Sequence, residues 1–387
     1  MRKFVFRYLA IAAFALLFAG PAYAQLFETR AEQAMLLDVN SGSVLFSKNA
    51  DTKIPPASLA KLMTMEVVFN ALSVGRLTLT DEFIVSENAW RTGGAQSGGS
   101  TMFAELGSSI TLEDLIKAVV VQSANDGCII IAEGMAGSED NFARIMTDRA
   151  REIGLTDSVF KNSTGLPAEG QVVTMRDLVK LATHIVQTYP QFYQYYALPS
   201  FEWNRILQRN RNPLLSMDIG ADGMKTGFTE DSGYAIVGTA INDGRRLLLA
   251  MSGLESINQR AEEARKMLEW GRRAFEPFEL FKKSDVVGSV RLYGGAAASV
   301  PVTPATDMTV LLPLANSGAL KARIMYNAPV RAPVEAGDEI AMLRLLLDDE
   351  IAFEAPLIAA QSVQKGPIHR QALDALAELA TGWIPDF

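Results

Sequence analysis

The character of the chain changes at about residue 280. Before that point, segments with the helical spacing of apolar residues alternate with strand-like segments. After it, short strands alternate with Gly, Pro and Asp turns, at residues 286–293, 308–312, 321–325 and 339–346. The 387 residues also exceed the length of one ordinary domain. We therefore predict an α+β domain over residues 25–280 and a small β-sandwich-like domain over residues 281–365.

The first 24 residues have the three-part pattern of a secretory signal peptide. Arg2, Lys3 and Arg7 form a positive start, an uncharged apolar run follows, and Ala22-Tyr23-Ala24 is a small-residue cleavage site. We predict cleavage after residue 24 and export of the protein; an uncleaved membrane anchor is the alternative. Cleavage removes three positive charges and changes the formal net charge from −8 to −11. An acidic exported protein is a poor nucleic-acid binder, so we expect no nucleic-acid partner.

Cysteine and histidine are scarce, which excludes several kinds of site. Cys128 is the single cysteine, so no intramolecular disulfide can form. The two histidines are His184 and His369, and neither has neighbours typical of a Ser-His-Asp triad or a zinc site. We therefore predict chemistry without histidine, metal or cofactor.

Several local patterns before residue 280 predict individual elements. Residues 34–39 and 43–47 flank Asn-Ser-Gly and indicate a hairpin, and Asn242-Asp243-Gly244 indicates a second one. A helix is expected over residues 57–72, directly after Pro55-Pro56. Residues 92–100 indicate a loop, either a plain linker or a loop beside a cleft. The charges of the helix predicted over residues 261–275 indicate a solvated face.

Three short motifs follow one another along the chain, each weak alone and strong together. They are Ser58-x-x-Lys61, Ser123-x-Asn125 and Lys225-Thr226-Gly227.

The motifs supply the parts that acyl transfer on a serine requires. A neutral serine is a weak nucleophile and needs a base. A lysine whose pKa is lowered by burial or by a second cation can act as that base, and here Lys61 and Lys225 would be the two cations. Gly227 would let a ligand approach the strand backbone. The alternative is that Ser58 caps its helix and both lysines are exposed.

These motifs and their flanking residues resemble the low-molecular-mass penicillin-binding proteins that act as D-Ala-D-Ala carboxypeptidases. The resemblance covers residues 27–280 and, more loosely, the rest of the chain. It implies a penicillin-binding or serine β-lactamase-like catalytic domain, with an antiparallel sheet flanked by helices. The resembling segments are residues 37–42, 56–64, 122–126, 209–212 and 222–227.

The resemblance implies a role for each site residue. Ser58 would attack the substrate and Lys61 would take its proton, while Ser123 would relay a proton to the leaving D-Ala. Asn125 would orient the substrate and the lysine.

It also implies how the substrate is held. Lys225, Thr226 and Arg211 would hold the terminal carboxylate, and the N–H groups of Ser58 and Phe228 would form the oxyanion hole. The implied partners are peptidoglycan stem peptides ending in D-Ala-D-Ala, and β-lactams that mimic them.

Two positions depart from the family pattern. Phe228 follows Lys-Thr-Gly where many members have histidine, and Leu254 stands where some have arginine. Carboxylate binding would then depend more on Lys225 and Arg211.

Three other functions stay open at this point. A serine β-lactamase shares the motifs, but the Glu-x-x-Leu-Asn string of one class is absent and the β domain is foreign to it. An endopeptidase that cuts cross-links, and a non-catalytic wall-binding scaffold, are the others. The intact serine and lysine argue against the scaffold.

The end of the chain, residues 366–387, is predicted to form an amphipathic helix. At 100° per residue, the large apolar residues fall on one face, with Trp383 suited to a membrane interface. Asp374 and Glu378 on the polar face oppose attraction to anionic lipid. We predict attachment to the periplasmic face of the inner membrane; packing on the protein's own β domain is the alternative.

Overall fold

The structure is a computed structural model, and it describes residues 27–314, 320–369, 371–372 and 374–375. The predicted signal peptide, residues 1–24, lies outside the described residues, and so does most of the predicted tail helix. Among the described residues, no helix has the length and apolar character needed to cross a membrane.

Most helices precede residue 280, as the sequence predicts. They are α1 (Lys61–Ser73), α2 (Leu112–Val121), α3 (Asn125–Ala136), α4 (Glu139–Glu152), α5 (Met175–Thr188), α6 (Pro190–Tyr193) and α7 (Ile257–Arg273). Side-chain caps start several of them: the Oγ1 of Thr111 accepts from Asp114 N at α2, and the Oγ of Ser138 accepts from Asn141 N at α4.

Strands occur along the whole chain. The first nine are β1 (Gln33–Asp38), β2 (Val44–Lys48), β3 (Glu82–Ile84), β4 (Ser109–Thr111), β5 (Ser200–Trp203), β6 (Ile206–Arg209), β7 (Ala221–Thr229), β8 (Gly233–Asn242) and β9 (Arg245–Leu254). The rest are β10 (Phe275–Phe281), β11 (Gly288–Tyr293), β12 (Ser299–Pro304), β13 (Met308–Pro313), β14 (Leu320–Met325), β15 (Val330–Arg331), β16 (Glu339–Leu347) and β17 (Glu350–Ala359).

A five-stranded antiparallel sheet organises the first region, which we call the cleft region (residues 27–273). Its strand order is β2-β1-β9-β8-β7. The larger core packs helices α1 to α5 on one face, and a second core packs α7 on the other. The sheet flanked by helices confirms the predicted fold class, and both predicted hairpins are present. β7 is an edge strand of this sheet, so one side of its backbone is free of sheet pairing.

The strands from Phe275 to Ala359 form a separate, all-β unit, which we call the β module. Six of them make a sheet in the order β14-β16-β17-β12-β11-β15, and β10 pairs with β13. The module packs on the cleft region at β2, where Leu311 N donates to Ser43 Oγ at 2.9 Å. The predicted division at residue 280 falls inside β10, and the domain boundaries stay a prediction.

Two local expectations were confirmed only in part. Residues 57–60 form a 3₁₀ turn, and the α-helix begins at Lys61, because the backbone after Pro56 enters the turn with φ of +49° at Ala57. The charged helix begins at Ile257, and its Glu263 is buried, where it accepts from Thr29 Oγ1 and Lys266 Nζ.

Candidate active site

The serine turn places Ser58 at a surface cleft. The turn runs over Ala57–Ala60, where Leu59 and Ala60 are buried and Ser58 is half-buried. Gly165 lies against it with φ of +81°, and a Cβ there would be 1.8 Å from the Ala57 carbonyl oxygen. Only glycine permits so close an approach of the two backbones. The loop that contains Gly165 therefore packs against the serine turn and supports it.

Lys61 is buried and hydrogen-bonded to the serine. Its Nζ lies 3.1 Å from Ser58 Oγ, 2.8 Å from Asn125 Oδ1 and 2.6 Å from the Thr164 carbonyl oxygen. Its pKa is lowered to about 8, mainly by burial and also by the charge of Arg211, whereas Cys128, Glu139 and Asp126 act to raise it. A lysine in this range is a usable base near neutral pH.

The Ser-x-Asn motif forms the turn between α2 and α3. Ser123 has φ of +65°, and Asn125 is the first residue of α3. Asn125 N donates to the Ser100 carbonyl oxygen at 2.7 Å. Residues 92–100 therefore border the cleft, which favours the cleft-loop interpretation over the linker.

Asp126 holds that loop in place. Its carboxylate is fully buried and accepts from Thr101 Oγ1 at 2.5 Å, from Met102 N at 3.0 Å and from Ala104 N at 3.2 Å. Asp126 belongs to the segment 122–126 that resembles the family, but this role could not be predicted, because the loop partners lie more than 20 residues away along the chain.

The Lys-Thr-Gly motif lies within β7, the strand that precedes the β8–β9 hairpin. Lys225 is buried, and its Nζ donates to Ser123 Oγ at 2.8 Å and to the Thr226 carbonyl oxygen at 3.0 Å. Burial, with the charges of Lys61 and Arg211, holds its pKa well below its usual range.

Gly227 also packs against the serine turn, beside the predicted role of admitting a ligand, which stays a prediction. A Cβ at this position would be 3.2 Å from the Ala57 Cβ and the Leu59 Cγ. The glycine therefore lets β7 pack closely on the serine turn.

All nine predicted site residues come together at one cleft of about 500 Å³. Its lining includes Ser58, Ser123, Arg211, Thr226, Gly227 and Phe228. Lys61, Asn125 and Lys225 lie behind that lining and reach it through the hydrogen bonds given above. The Phe228 ring is half exposed and packs on Tyr234 at 4.3 Å between centroids.

The cleft also contains residues that the sequence analysis did not select. Ser100, Tyr234, Ile257 and Arg260 line it, and the Thr164 carbonyl contacts Lys61 behind it. Asn-Ser-Thr-Gly at 162–165 is a turn signal, but nothing in it indicates contact with Lys61. Within the described ranges, no group of three or more His, Cys, Asp or Glu side chains is placed to hold a metal ion.

Comparisons with known proteins agree on one family. A family model described as D-alanyl-D-alanine carboxypeptidase matches residues 21–255, and one described as penicillin-binding protein 5, C-terminal domain, matches residues 275–365. The D-alanyl-D-alanine carboxypeptidase DacC of Escherichia coli is 36% identical over 362 residues, which cover 92% of this chain and 90% of that protein.

A solved structure and a more distant relative also match the chain. Penicillin binding protein 5 from Haemophilus influenzae has a TM-score of 0.71 and 32% identity, with 88% of this chain and 100% of that chain covered. A D-alanyl-D-alanine endopeptidase of Pseudomonas aeruginosa is 29% identical over 258 residues, 63% of this chain and 79% of that protein. On the match to most of its length, the chain belongs to the D-alanyl-D-alanine carboxypeptidase family.

Proposed function

We propose that this protein is a serine-type D-Ala-D-Ala carboxypeptidase that removes the terminal D-Ala from peptidoglycan stem peptides. The observation that carries the proposal is the 3.1 Å contact between Ser58 Oγ and the Nζ of buried Lys61. The family match supports the reaction class, and the residue roles below combine those that the resemblance implies with the hydrogen bonds of the cleft.

Acylation begins when neutral Lys61 takes the Ser58 Oγ proton. The Oγ attacks the carbonyl carbon of the penultimate D-Ala, and a tetrahedral oxyanion forms. The backbone N–H groups of Ser58 and Phe228 donate to this oxyanion, which stabilises the transition state. Asn125 orients the substrate and, through its Oδ1, the lysine.

The leaving group departs through Ser123. Its hydroxyl, which accepts from Lys225 Nζ, donates a proton to the amine of the terminal D-Ala as the C–N bond breaks. It recovers a proton from protonated Lys61, which becomes neutral again. Lys225, Thr226 and Arg211 hold the carboxylate of the terminal D-Ala. Water, deprotonated by Lys61, then attacks the ester on Ser58 and releases the shortened peptide.

β-Lactams would acylate the same serine, because their ring carbonyl and carboxylate imitate the D-Ala-D-Ala end. A serine β-lactamase is the second candidate, and the rate of deacylation separates the two. A carboxypeptidase would hydrolyse the penicilloyl ester slowly compared with its turnover of peptide substrate. A β-lactamase would hydrolyse the same ester rapidly.

The experiment that tests the proposal is D-Ala release from diacetyl-Lys-D-Ala-D-Ala. The wild type should release D-Ala, and Ser58→Ala should release none above background while keeping the melting temperature. Ser73→Ala, at the exposed end of α1, is the matched control and should behave as the wild type. Faster cleavage of a cross-linked muropeptide than of this peptide would favour an endopeptidase instead.

We also propose that the tail attaches the exported protein to the periplasmic face of the inner membrane. The described part of the tail contacts the β module through its polar side. Asp374 accepts from Gly294 N of the module at 2.8 Å, whereas Gln371 donates to the Gly366 carbonyl oxygen within the tail itself at 2.7 Å. If the tail is helical as the sequence predicts, a polar face engaged in this way would leave the opposite, apolar face for lipid.

Liposome flotation tests the attachment. The mature protein should float with vesicles, and a chain ending at Gln364 should stay in solution. Equal behaviour of the two proteins, floating or soluble, would contradict the role given to the tail.

A further inference from the structure

A loop outside the three sequence motifs supplies one of the contacts around Lys61. It is formed by residues 162–165, and its Thr164 carbonyl oxygen lies 2.6 Å from Lys61 Nζ. Ser163 and Thr164 are both buried. A base must be directed at its target as well as be neutral, and this loop is placed to direct Lys61.

The partners of Lys61 fix the direction of its lone pair. A neutral lysine amine has two N–H bonds and one lone pair. Two of its neighbours, the Thr164 carbonyl oxygen and Asn125 Oδ1 at 2.8 Å, can only accept hydrogen bonds, so each takes one N–H bond. The third neighbour, Ser58 Oγ at 3.1 Å, can donate its proton, and the lone pair is left to receive it. Without the Thr164 carbonyl, the amine could rotate and turn an N–H bond towards the serine.

Ser163 ties this loop to two helices. Its carbonyl oxygen accepts from Thr64 Oγ1 at 2.7 Å, and Thr64 lies on α1, the helix that begins at Lys61. Its backbone N–H and its hydroxyl both donate to Glu139 Oε1, at 3.0 and 2.6 Å. Hydrogen bonds to an ionised carboxylate are roughly twice as strong as neutral ones. Glu139, the first residue of α4, therefore makes the stronger of the two ties.

The dipole of α4 does not account for this contact. An acidic residue in the first turn of a helix is favourable there even when its side chain touches nothing else. Asp140 occupies the same turn and is exposed. Glu139 is half-buried and places its carboxylate on the loop. The two neighbouring acids thus separate the effect of the dipole from the effect of the loop contact.

Glu139 also acts on Lys61 through its charge. Burial is the main cause of the lowered pKa of Lys61, and the negative charge of Glu139 is one of the influences that raise this pKa. Glu139 therefore has a positional effect through Ser163 and an electrostatic effect through space, and substitution can separate the two.

We propose that Glu139 is a positioning residue that, through Ser163, holds the Thr164 carbonyl against Lys61 and so directs the lone pair of the lysine to Ser58. This inference rests on the proposed function, in which Lys61 is the base, and adds the group that aims it.

The test measures acylation of the full chain by a fluorescent penicillin across neutral and alkaline pH. In Glu139→Ala, the plateau rate at high pH should fall about 10- to 100-fold, because a misdirected base loses rate even when it is neutral. In Glu139→Gln, the amide oxygen can still accept from Ser163, so most of the plateau rate should return. The midpoint of the pH profile should move to lower pH in both variants, because loss of the negative charge lowers the pKa of Lys61.

Asp140→Asn is the matched control, since Asp140 lies in the same turn of α4 and is exposed. Its plateau rate should equal that of the wild type. An unchanged plateau in folded Glu139→Ala would overturn the inference. Equal falls in Glu139→Ala and Glu139→Gln, with no movement of the midpoint, would show a structural role and overturn it as well.

Ser163→Ala gives a second reading if Glu139→Ala does not fold. It removes the hydroxyl's hydrogen bond to Glu139 and keeps the backbone one. The plateau should fall about 3- to 10-fold, the range for one hydrogen bond, and no fall would overturn the inference. Failure of the wild type to be acylated would overturn the proposed function. Normal acylation of the wild type that persists in Glu139→Ala and Ser163→Ala would overturn this inference alone.

Discussion

The cleft region and the β module differ in the polarity of their buried side chains. In the cleft region, buried side chains include charged ones such as Lys61, Asp126 and Lys225. In the β module, the buried side chains of the described residues are all apolar. Burying a charge costs free energy unless the charge is paired. The buried charges therefore reduce the stability of the cleft region, and the module has no such cost. The difference indicates that these charges are retained for chemistry and that the module contributes packing.

The largest effect is expected for Lys61→Met. Replacing the base should lower the acylation rate by about 10²–10⁴-fold. Because an apolar side chain of similar length replaces a buried cation, the protein should remain folded. Stopped-flow acylation by a fluorescent penicillin and circular dichroism check both parts. An acylation rate within a few-fold of the wild type would exclude Lys61 as the base.

In the β module, Leu343→Ala should affect stability and not chemistry. Leu343 is fully buried on β16, and its truncation leaves a cavity. The free energy of unfolding should fall by about 2–5 kcal/mol, and kcat for D-Ala release should stay near the wild-type value in the folded protein. Urea unfolding and the release assay measure the two quantities. A loss of kcat as large as that expected for Lys61→Met would contradict the assignment of chemistry to the cleft region alone.

The pH dependence of acylation should report the buried lysine. Lys61 must be neutral to act, and its pKa is lowered to about 8. The acylation rate should rise by roughly tenfold per pH unit below that value and level off above it. Lys61 should also affect stability in the same direction. Between a pH of about 8 and the ordinary lysine pKa of about 10.4, the folded state binds fewer protons than the unfolded state. The contribution of Lys61 to the free energy of unfolding therefore increases as the pH rises through this range. A flat rate profile through pH 8 would contradict the assignment.

The smallest effect is expected for Phe228→Ala. The proposed oxyanion donor is the backbone N–H, and the half-exposed ring makes its closest ring contact with Tyr234. D-Ala release should change by no more than about threefold, well below the effect of removing an oxyanion donor. A loss similar to that of Ser58→Ala would show that the ring is essential.

Local signals were the most readable part of the sequence. The turn at Asn242-Asp243-Gly244 depends on adjacent residues, and it was predicted. The three motifs indicated the site because each chemical role, such as nucleophile or base, requires a particular type of residue. The Thr164 carbonyl was not predictable, because it lies 103 residues from Lys61 along the chain. Arg260 was also missed, because it precedes the helix predicted over residues 261–275 and its sequence neighbours do not indicate that it faces a cleft.

The most direct test of the whole account is to map the residue that a β-lactam acylates. The intact protein is labelled with a fluorescent penicillin, digested, and the modified peptide is identified by mass spectrometry. We expect a single adduct on Ser58, absent in Ser58→Ala and strongly slowed in Lys61→Met. An adduct on another residue, or undiminished labelling of Ser58→Ala, would contradict the assignment of Ser58 as the nucleophile.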